Sequence, residues 1–329
     1  MRILATGGAG YVGSSCVRAL LRRGHECFVY DNLSTGYPQA VPEDRLLVGD
    51  LNHRKMLTGI LREKKIEAVM HFAASIAVGE SVEKPRLYYR NNITHSLNLL
   101  EAMQDAGVNK ILFSSTAAVY SPSAKPLYEY SKTDPVSPYA FSKYAIERMI
   151  MDFFRAYGLG YTILRYFNAC GASPDGHFGE AHHPETHLIP LVLQVPLGQR
   201  DCIRVFGSDY DTPDGTCIRD YIHVDDLADA HIRAVESVTA GKGTVFNIGT
   251  GSGNSVLEVI RAAEDVVGEK IKIEFVDRRP GDTARLVAAS DQLREKLQWQ
   301  PKYDNLHDII ASAWNWHRNY PQGYVNHDS

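Results

Sequence analysis

Tyr139 and Lys143 lie four residues apart in the segment PYAFSK, a spacing that places both side chains on one face of a helix. A tyrosine is a useful general base only if its pKa, about 10 when unperturbed, is lowered. A neighbouring ammonium group favours the phenolate and has this effect. The YxxxK spacing is common on surface helices, but here Thr116 ends a predicted strand, where its hydroxyl can hydrogen-bond a reacting oxygen. We therefore predict that Tyr139, Lys143 and Thr116 are catalytic residues.

A glycine-rich segment, GGAGYVG, joins the first predicted strand to the first predicted helix at residues 7–13. Glycines at this spacing permit a tight turn and a close approach of the backbone to a pyrophosphate. The N-terminus of the following helix offers free N–H groups to the same anion. A plain turn would also be glycine-rich, but the strand before it and the helix after it favour a dinucleotide-binding turn.

Asp31 follows the second predicted strand, where a carboxylate can accept hydrogen bonds from both ribose hydroxyls and would repel a 2′-phosphate. The sequence has no arginine beside it, so we predict NAD rather than NADP; an ordinary turn formed with Asn32 is the alternative. Asp50, after the third strand, could meet an adenine amino group or cap the next helix. The positive nicotinamide ring of bound NAD also favours the phenolate, so the Tyr139–Lys143 pair could remove a hydroxyl proton while the nicotinamide takes a hydride from the same carbon.

Short apolar runs alternate with helical patterns through the first half of the chain, which predicts βαβ units and a parallel sheet. The predicted strands cover residues 2–6, 26–30, 45–48, 68–72, 110–114 and 161–166, and the predicted helices between them include residues 88–105 and 138–157. The second half is less regular, with a long loop at 169–186, helices near 224–238 and 255–267, and a strand near 244–248.

The predicted fold class is α/β, with a Rossmann-type doubly wound parallel sheet and a smaller α/β C-terminal substrate lobe. We place an NAD-binding domain at residues 1–167 and the substrate-binding lobe at residues 168–329, part of which returns to the first domain. The length of 329 residues, above the size at which single cores usually divide, supports two lobes.

The overall composition argues against several classes of partner. The net charge is −4 at pH 7, which favours neither a nucleic-acid nor a membrane partner, so an anionic substrate would need a local cationic site. The five cysteines are scattered and form no CxxC pair, so we expect free thiols and no metal site. The N-terminal segment lacks the apolar stretch of a signal peptide and no apolar run is long enough to span a membrane, which predicts a cytoplasmic protein.

Several longer segments resemble those of the UDP-galactose 4-epimerases, which are extended short-chain dehydrogenases/reductases. The resemblance runs from residue 1 to about residue 324. The matching segments are ATGGAGYVGS, VYDNLSTG, HFAASIAVGESV, FSSTAAVY, SPYAFSK, RYFNACGA, GTCIRDYIHVDDLADAH, RRPGD and WHRNYPQGY.

The resemblance implies roles for individual residues. Many positions match NAD-binding residues of the family: Gly7, Gly10, Tyr11, Val12, Asp31, Asn32, Asp50, Leu51, Phe72, Ala73, Ala74, Asn91, Tyr139 and Lys143. We add Ser114 and Tyr166, which lie at strand ends, to the predicted cofactor-binding residues. Thr116 and Tyr139 match the hydroxyl pair at the sugar. The positions implied to hold the nucleoside diphosphate are Asn168, His187, Leu188, Phe206, Arg219, Tyr221, Arg279 and Asp282. Arginine suits forked contacts with phosphate, so Arg219 and Arg279 could supply the local cationic site.

The family's activity implies that this chain interconverts UDP-galactose and UDP-glucose, a step of galactose metabolism, by inverting sugar C4′. A 4-keto sugar forms, turns over in the site and is reduced on its other face, while NAD remains tightly held. The resemblance also implies a homodimer formed through the helices at 88–105 and 138–157.

A few positions differ from relatives. Ile76, Thr35 and Gly36 could alter how tightly NAD is held, and His187 lies where some relatives carry asparagine. Leu286 lies where the family gates the size of the C2′ substituent, with a side chain intermediate between the tyrosine and the small residues found in relatives.

Three other functions were weighed. A nucleotide-sugar dehydratase needs an acid beside the catalytic threonine, but Ala117 and Ala118 follow Thr116. A non-catalytic NAD sensor would be expected to lose the Tyr139–Lys143 pair. A 4-epimerase that prefers UDP-pentoses or UDP-N-acetylhexosamines shares every motif and stays open as the alternative.

Overall fold

The computed structural model describes residues 1–279 and 282–324. Its strands are β1 (Arg2–Thr6), β2 (Glu26–Asp31), β3 (Leu46–Val48), β4 (Ala68–His71), β5 (Lys110–Thr116), β6 (Gly160–Tyr166), β7 (Asn168–Cys170), β8 (Ile203–Phe206), β9 (Ile218–Arg219), β10 (Tyr221–His223), β11 (Gly243–Ile248), β12 (Asn254–Ser255), β13 (Ile273–Val276) and β14 (Arg285–Leu286). The strands predicted in the first half are all present, with ends shifted by one or two residues.

The α-helices follow the glycine turn, the strand ends and the later loops. They are α1 (Tyr11–Arg22), α2 (Arg54–Glu63), α3 (Val78–Glu83), α4 (Pro85–Tyr88), α5 (His95–Ala106), α6 (Pro138–Tyr157), α7 (Leu188–Leu193), α8 (Val224–Ser237), α9 (Val256–Val267), α10 (Asp291–Leu297) and α11 (Leu306–Asn319). None of the described helices is long and apolar enough to cross a bilayer.

The central sheet contains seven parallel strands within the described residues, in the order β11-β6-β5-β4-β1-β2-β3. The chain moves outward from β1 through β2 to β3, and then returns to β4 on the other side of β1. This reversal leaves a crevice at the carboxyl ends of β1 and β4, the usual ligand position in an open α/β sheet. The predicted Rossmann-type fold is therefore confirmed.

Apolar side chains from both faces of the sheet form two cores. On one face, Ile3 and Leu20 pack with residues of α8 such as Leu227. On the other face, Leu4 packs with residues of α2, α5 and α6, including Leu57 and Leu99. The near-continuous apolar character of the strands follows from this burial on both faces.

The helix predicted at residues 88–105 is wrong as a single element. Its first part is a π-helical turn over Tyr89–Thr94, between α4 and α5. The Asn92 side chain explains the departure, because its Nδ2 donates to the Ser75 carbonyl and to Ser142 Oγ, and its Oδ1 accepts from Ser75 N–H. Widening the turn brings this buried amide to those partners, in the manner of π-bulges near functional sites.

The second half forms a smaller lobe and also contributes to the first. In the lobe, β8 pairs with β13, and β9 pairs with β12 and β14, beside a third core formed by α7, α9 and α11. The loop predicted at 169–186 begins inside β7, which pairs with β10. The predicted strand near 244–248 is β11 and lies beside β6 at the edge of the central sheet. The domain boundary near residue 167 stays a prediction.

Candidate functional site

The glycine turn lies directly at the crevice and has no room for a side chain at Gly7 or Gly13. Gly7 has φ +71°, and a Cβ there would lie 2.4 Å from the Ala73 nitrogen. A Cβ on Gly13 would lie 2.4 Å from the Gly7 carbonyl oxygen. Helix α1 then begins after Gly10, and no side chain caps it. Since the first N–H groups of a helix have no intrahelical partners, the turn at Tyr11 and Val12 presents donors to an anion.

Asp31 ends β2 beside this turn and is 8% exposed. Its Oδ2 accepts from Ala9 N–H at 2.9 Å and its Oδ1 accepts from Leu33 N–H at 2.9 Å. Burial raises the pKa of the carboxyl group, although these two hydrogen bonds oppose the rise. The carboxylate thus fixes the glycine turn and the loop after β2, and its remaining lone pairs can accept hydroxyl donors.

Asp50 lies across from Asp31, at the end of the third strand. Its Oδ2 accepts from Asn32 Nδ2 at 2.8 Å, and its Oδ1 accepts from Asn52 N–H at 2.7 Å. Burial raises the pKa of Asp50, but these hydrogen bonds outweigh it and the pKa lies below its ordinary value. Helix α2 follows His53 without a side-chain cap, so the alternative that Asp50 caps this helix is wrong.

Most of the other residues that we predicted to bind the cofactor lie at the strand ends around the crevice. Leu51 is buried just after Asp50, and Phe72, Ala73 and Ala74 follow β4. Asn91 Nδ2 donates to Ser75 Oγ at 3.0 Å.

Tyr139 and Lys143 lie in the first turns of α6, whose N-terminus is capped by the Ser137 hydroxyl. Lys143 Nζ donates to the Ser114 carbonyl at 2.8 Å, which joins the helix to the end of β5. Ser114 Oγ in turn donates to Tyr166 Oη at 3.1 Å, on β6. The predicted catalytic pair therefore lies at the same strand ends as the predicted cofactor residues.

The electrostatics of the pair differ from the expectation. Burial raises the pKa of Tyr139, with a smaller rise from Tyr166, while the Thr116 hydroxyl opposes it through a hydrogen bond. Burial also lowers the pKa of Lys143 to about 7, against the effect of Glu147. In the ligand-free chain the neighbouring lysine does not lower the tyrosine pKa, because desolvation disfavours the charged form of both groups; the further effect expected of a bound nicotinamide ring stays a prediction.

A cleft opens in the smaller lobe. The residues predicted at a nucleoside diphosphate come from well-separated segments, and they all line it: Asn168, His187, Leu188, Phe206, Arg219, Tyr221, Arg279 and Asp282. Arg219 is only 17% exposed, and its Nη1 donates to the Thr283 carbonyl at 2.8 Å. Its Nη2 lies 3.4 Å from Asp282 Oδ1, and the Arg279 guanidinium lies 4.2 Å from the centre of the Phe206 ring.

Leu286 connects this cleft with the Tyr139–Thr116 region. In the pairing of β9 with β14, Leu286 is the partner of Arg219. Its side chain packs with a small apolar cluster that includes Ala117 and Phe167, next to Thr116 and Asn168 respectively. Leu286 is thus a strand neighbour of Arg219 in the cleft and packs with the residue that follows Thr116 at the end of β5.

A family model described as the NAD dependent epimerase/dehydratase family matches residues 3–249. The chain belongs to this family. Among its relatives, a UDP-glucose 4-epimerase of Azospirillum brasilense is 49% identical over 98% of this chain and 93% of its own length. A crystal structure of a UDP-glucose 4-epimerase is similar with a TM-score of 0.95, 48% identity and coverage of 99% of this chain and 100% of that chain. That of Bifidobacterium longum, in complex with NAD+ and UDP, has a TM-score of 0.93 at 36% identity, covering 98% of this chain and 100% of the other.

Within this NAD-dependent epimerase/dehydratase, one buried network was missed by the sequence analysis. Arg165 on β6 donates to both oxygens of Glu147 on α6, at 3.0 and 2.6 Å, and Ser115 Oγ donates to Glu147 at 2.5 Å. Glu147 lies four residues after Lys143 and eight after Tyr139, so all three occupy one stripe of the helix. The spacing of Glu147 from Tyr139 and Lys143 was a signal that the sequence offered. Arg165, the partner of Glu147, is distant in sequence, and no local pattern indicates it.

Proposed function

We propose that the protein interconverts UDP-galactose and UDP-glucose by inverting C4′ of the sugar. The double contact of Leu286 carries this proposal, because its strand pairs beside Arg219 of the cleft while its side chain packs with Ala117, the residue after Thr116. A nucleotide sugar has the same two ends, a diphosphate and a hexose.

The residues around the crevice fit NAD. A Cβ on Gly7 would collide with Ala73 and one on Gly13 would collide with Gly7, so the turn presents bare backbone to which a pyrophosphate can come close. Asp31 offers acceptors for a ribose. We assign the cofactor to these residues together with the others predicted above. When bound there, NAD would supply the hydride transfer to and from sugar C4′ that inversion through a 4-keto sugar requires.

Tyr139 is the proton acceptor for the C4′ hydroxyl in this proposal, and its Oη returns the proton when the sugar is reduced. Thr116 hydrogen-bonds the same oxygen. Burial raises the pKa of Tyr139 and lowers the pKa of Lys143 to about 7. Because Lys143 is then only partly ionised at neutral pH, the phenolate needs positive charge in addition to that of the lysine. Lys143 also holds the end of β5 through the Ser114 carbonyl, and so keeps the base in register with Thr116.

The cleft residues hold the diphosphate while the hexose turns. Arg219 is fixed by Thr283 and Asp282, so its remaining N–H groups are preorganised for phosphate oxygens. The sugar side offers mainly apolar contacts from Leu286 and Ala117, which restrain rotation little. The same apolar surface offers no partner to an N-acetyl amide, and burying that amide unpaired is costly.

We also propose that two copies form a homodimer and that the enzyme acts in the cytoplasm, in galactose metabolism. Tyr89 and Phe141, on adjacent helical segments, are in ring contact and are 40% and 46% exposed. An exposed apolar pair on two neighbouring helices suits a helix-to-helix interface. Light scattering of the purified protein measures the mass and tests the dimer. All five cysteines are free thiols, which suits a reducing compartment.

The activity is tested by separating UDP-glucose from UDP-galactose chromatographically after incubation with either sugar. Tyr139→Phe should lower turnover by about 10²–10⁴-fold, the usual effect of removing a general base, and should leave UDP binding intact. Tyr157→Phe is the matched control, since Tyr157 is at the other end of α6 and 59% exposed. Turnover of Tyr139→Phe equal to that of Tyr157→Phe would contradict the assignment.

A further inference from the structure

The loop before α7 brings two histidines and two glutamates together beside the cleft. One ligand atom from each of Glu180, His182, Glu185 and His187 lies within 4.8 Å of every other. Glu180 is 3% exposed and the Glu185 side chain 7%, while His182 is largely buried. The scattered cysteines predicted no metal site, whereas these four residues follow the spacing E-x-H-x-x-E-x-H, which contains no cysteine.

The distances in this cluster suit a small four-coordinate ion. A tetrahedral Zn²⁺ with ligands at about 2.1 Å has ligand atoms about 3.4 Å apart. His182 Nδ1 lies 3.2 Å from Glu180 Oε1 and 3.6 Å from Glu185 Oε2, and His187 Nδ1 lies 3.7 Å from Glu185 Oε1. The contact between His187 Nδ1 and Glu180 Oε1, at 2.5 Å, is the one that would lengthen, by about 0.9 Å, around such an ion.

A second observation points to a ligand. Nδ1 of His182 is buried and has no well-aligned hydrogen bond within the described part of the chain; it lies 3.2 Å from Glu180 Oε1 and 3.6 Å from Glu185 Oε2. A buried polar atom without a partner is costly, and such atoms call for an unseen ion or water. The His182 Nδ1 atom lies among the other three donors, so one ion would satisfy it.

The surroundings hold the donors in place. Glu185 Oε1 accepts from the N–H groups of Thr186 and His187, at 2.7 and 2.8 Å, which leaves Oε2 available. The backbone at Glu180 is fixed because its carbonyl accepts from Trp316 Nε1 at 3.0 Å. Outer contacts of this kind orient metal ligands in established sites.

We propose that Glu180, His182, Glu185 and His187 bind a divalent transition metal ion of the zinc type. Two imidazole nitrogens and two carboxylates favour such an ion, whereas Mg²⁺ and Ca²⁺ prefer six or more oxygen ligands. The site is structural, since four protein ligands leave a tetrahedral ion no open position.

The ion would link the two lobes. Glu180 and His187 line the diphosphate cleft, and Leu188 follows in the same cleft. His182 packs edge-on against Tyr11 of the glycine turn, with ring centres 6.2 Å apart. Metal binding therefore fixes the loop that carries His187 relative to the glycine turn that carries Tyr11. This effect of the metal does not depend on which sugar the enzyme uses.

The experiment measures metal binding by the intact NAD-loaded enzyme, independently of turnover. The protein is stripped with a chelator, titrated with Zn²⁺ or Mg²⁺, and analysed by calorimetry and by elemental analysis after gel filtration. We expect one Zn²⁺ per chain, no Mg²⁺, and a rise in the unfolding temperature on Zn²⁺ addition. Because loss of even an outer partner lowers metal affinity 10–100-fold, His182→Ala and Glu185→Gln should each weaken Zn²⁺ binding by more than about 100-fold.

His183→Ala is the matched control, because His183 is an exposed neighbour outside the cluster. It should bind Zn²⁺ like the unaltered enzyme. Thermal unfolding of each variant in chelator verifies that it folds, and Glu185→Gln replaces His182→Ala if the latter does not. Zn²⁺ binding below one per chain in the unaltered enzyme, or equal binding in Glu185→Gln and His183→Ala, would overturn the proposal.

Discussion

Arg219 and Arg279, two of the arginines that line the cleft, should contribute unequally to diphosphate binding. Arg219 is 17% exposed and is held by the Thr283 carbonyl and by Asp282, so it loses little freedom when phosphate binds. Arg279 is 61% exposed and is oriented mainly by the face of Phe206 and by Asp282. Arg219→Ala should therefore weaken UDP binding much more than Arg279→Ala.

The expected size follows from burial. A hydrogen bond to a charged group is worth about 1.5–3 kcal/mol, and each 1.4 kcal/mol changes an equilibrium constant about tenfold. Arg219→Ala should thus raise the Kd of UDP by roughly 10- to 150-fold. Exposed ion pairs are worth about 0–1 kcal/mol, so Arg279→Ala should raise it by no more than about fivefold.

Calorimetric titration with UDP gives the four Kd values needed, one for the unaltered NAD-loaded enzyme and one for each of three variants. Arg204→Ala is the matched control, because Arg204 also lines the cleft but is 63% exposed and paired with Glu274. It removes the same charge and should change the Kd by less than about twofold. Equal losses in all three variants would mean that only net charge matters, and no loss in Arg219→Ala would place the diphosphate elsewhere; either result refutes the reasoning.

Three further predictions concern the cofactor, the sugar and the buried lysine. Asp31→Ala should lower the amount of NAD per chain that survives gel filtration, measured after acid release, because the ribose loses its acceptor; undiminished NAD would contradict this. Leu286→Ser should raise the rate on UDP-N-acetylglucosamine relative to UDP-galactose and Leu286→Tyr should abolish it, as measured by product chromatography; equal wild-type rates on both sugars would refute the gate. Burial lowers the pKa of Lys143 from 10.5 to about 7, so between these values the folded state binds fewer protons than the unfolded state and stability rises with pH. In nucleotide-free protein, Lys143→Met should therefore raise the urea midpoint of unfolding at about pH 7, and this gain in stability should shrink towards about pH 10. A gain in stability that does not change with pH would contradict the lowered pKa of Lys143.

The parts of the fold that could be predicted from the sequence are those specified by residues close to one another in the chain. Helix α6 was predicted with its observed ends because both signals are local: the Ser137 hydroxyl caps its start, and Gly158, with φ +72°, ends it. The glycine turn was predictable for the same reason, since Gly7 and Gly13 leave no room for a Cβ. Strand positions followed from short apolar runs bounded by turns.

The failures share one physical cause, which is contact between distant segments. The π-helical turn depends on Asn92 reaching Ser75 and Ser142, and neither is adjacent in sequence. The pKa of Lys143 depends on burial under β5, which residue spacing does not reveal. The cleft residues were found through resemblance to a family, because side chains as far apart in sequence as Asn168 and Asp282 have no common local pattern.

The second half of the chain completes the core around the cofactor crevice. Helix α8 packs on α1 in the same apolar cluster as Ile3, through residues such as Leu227 and Ile232. Asn247 on β11 accepts from Tyr120, whose hydroxyl in turn accepts from Arg165 of the buried pair beneath the catalytic helix. The second half of the chain is therefore connected to helix α6 through packed side chains and hydrogen bonds of the central sheet. This arrangement suits an enzyme that must keep a diphosphate anchor and a proton acceptor in register while the sugar between them turns.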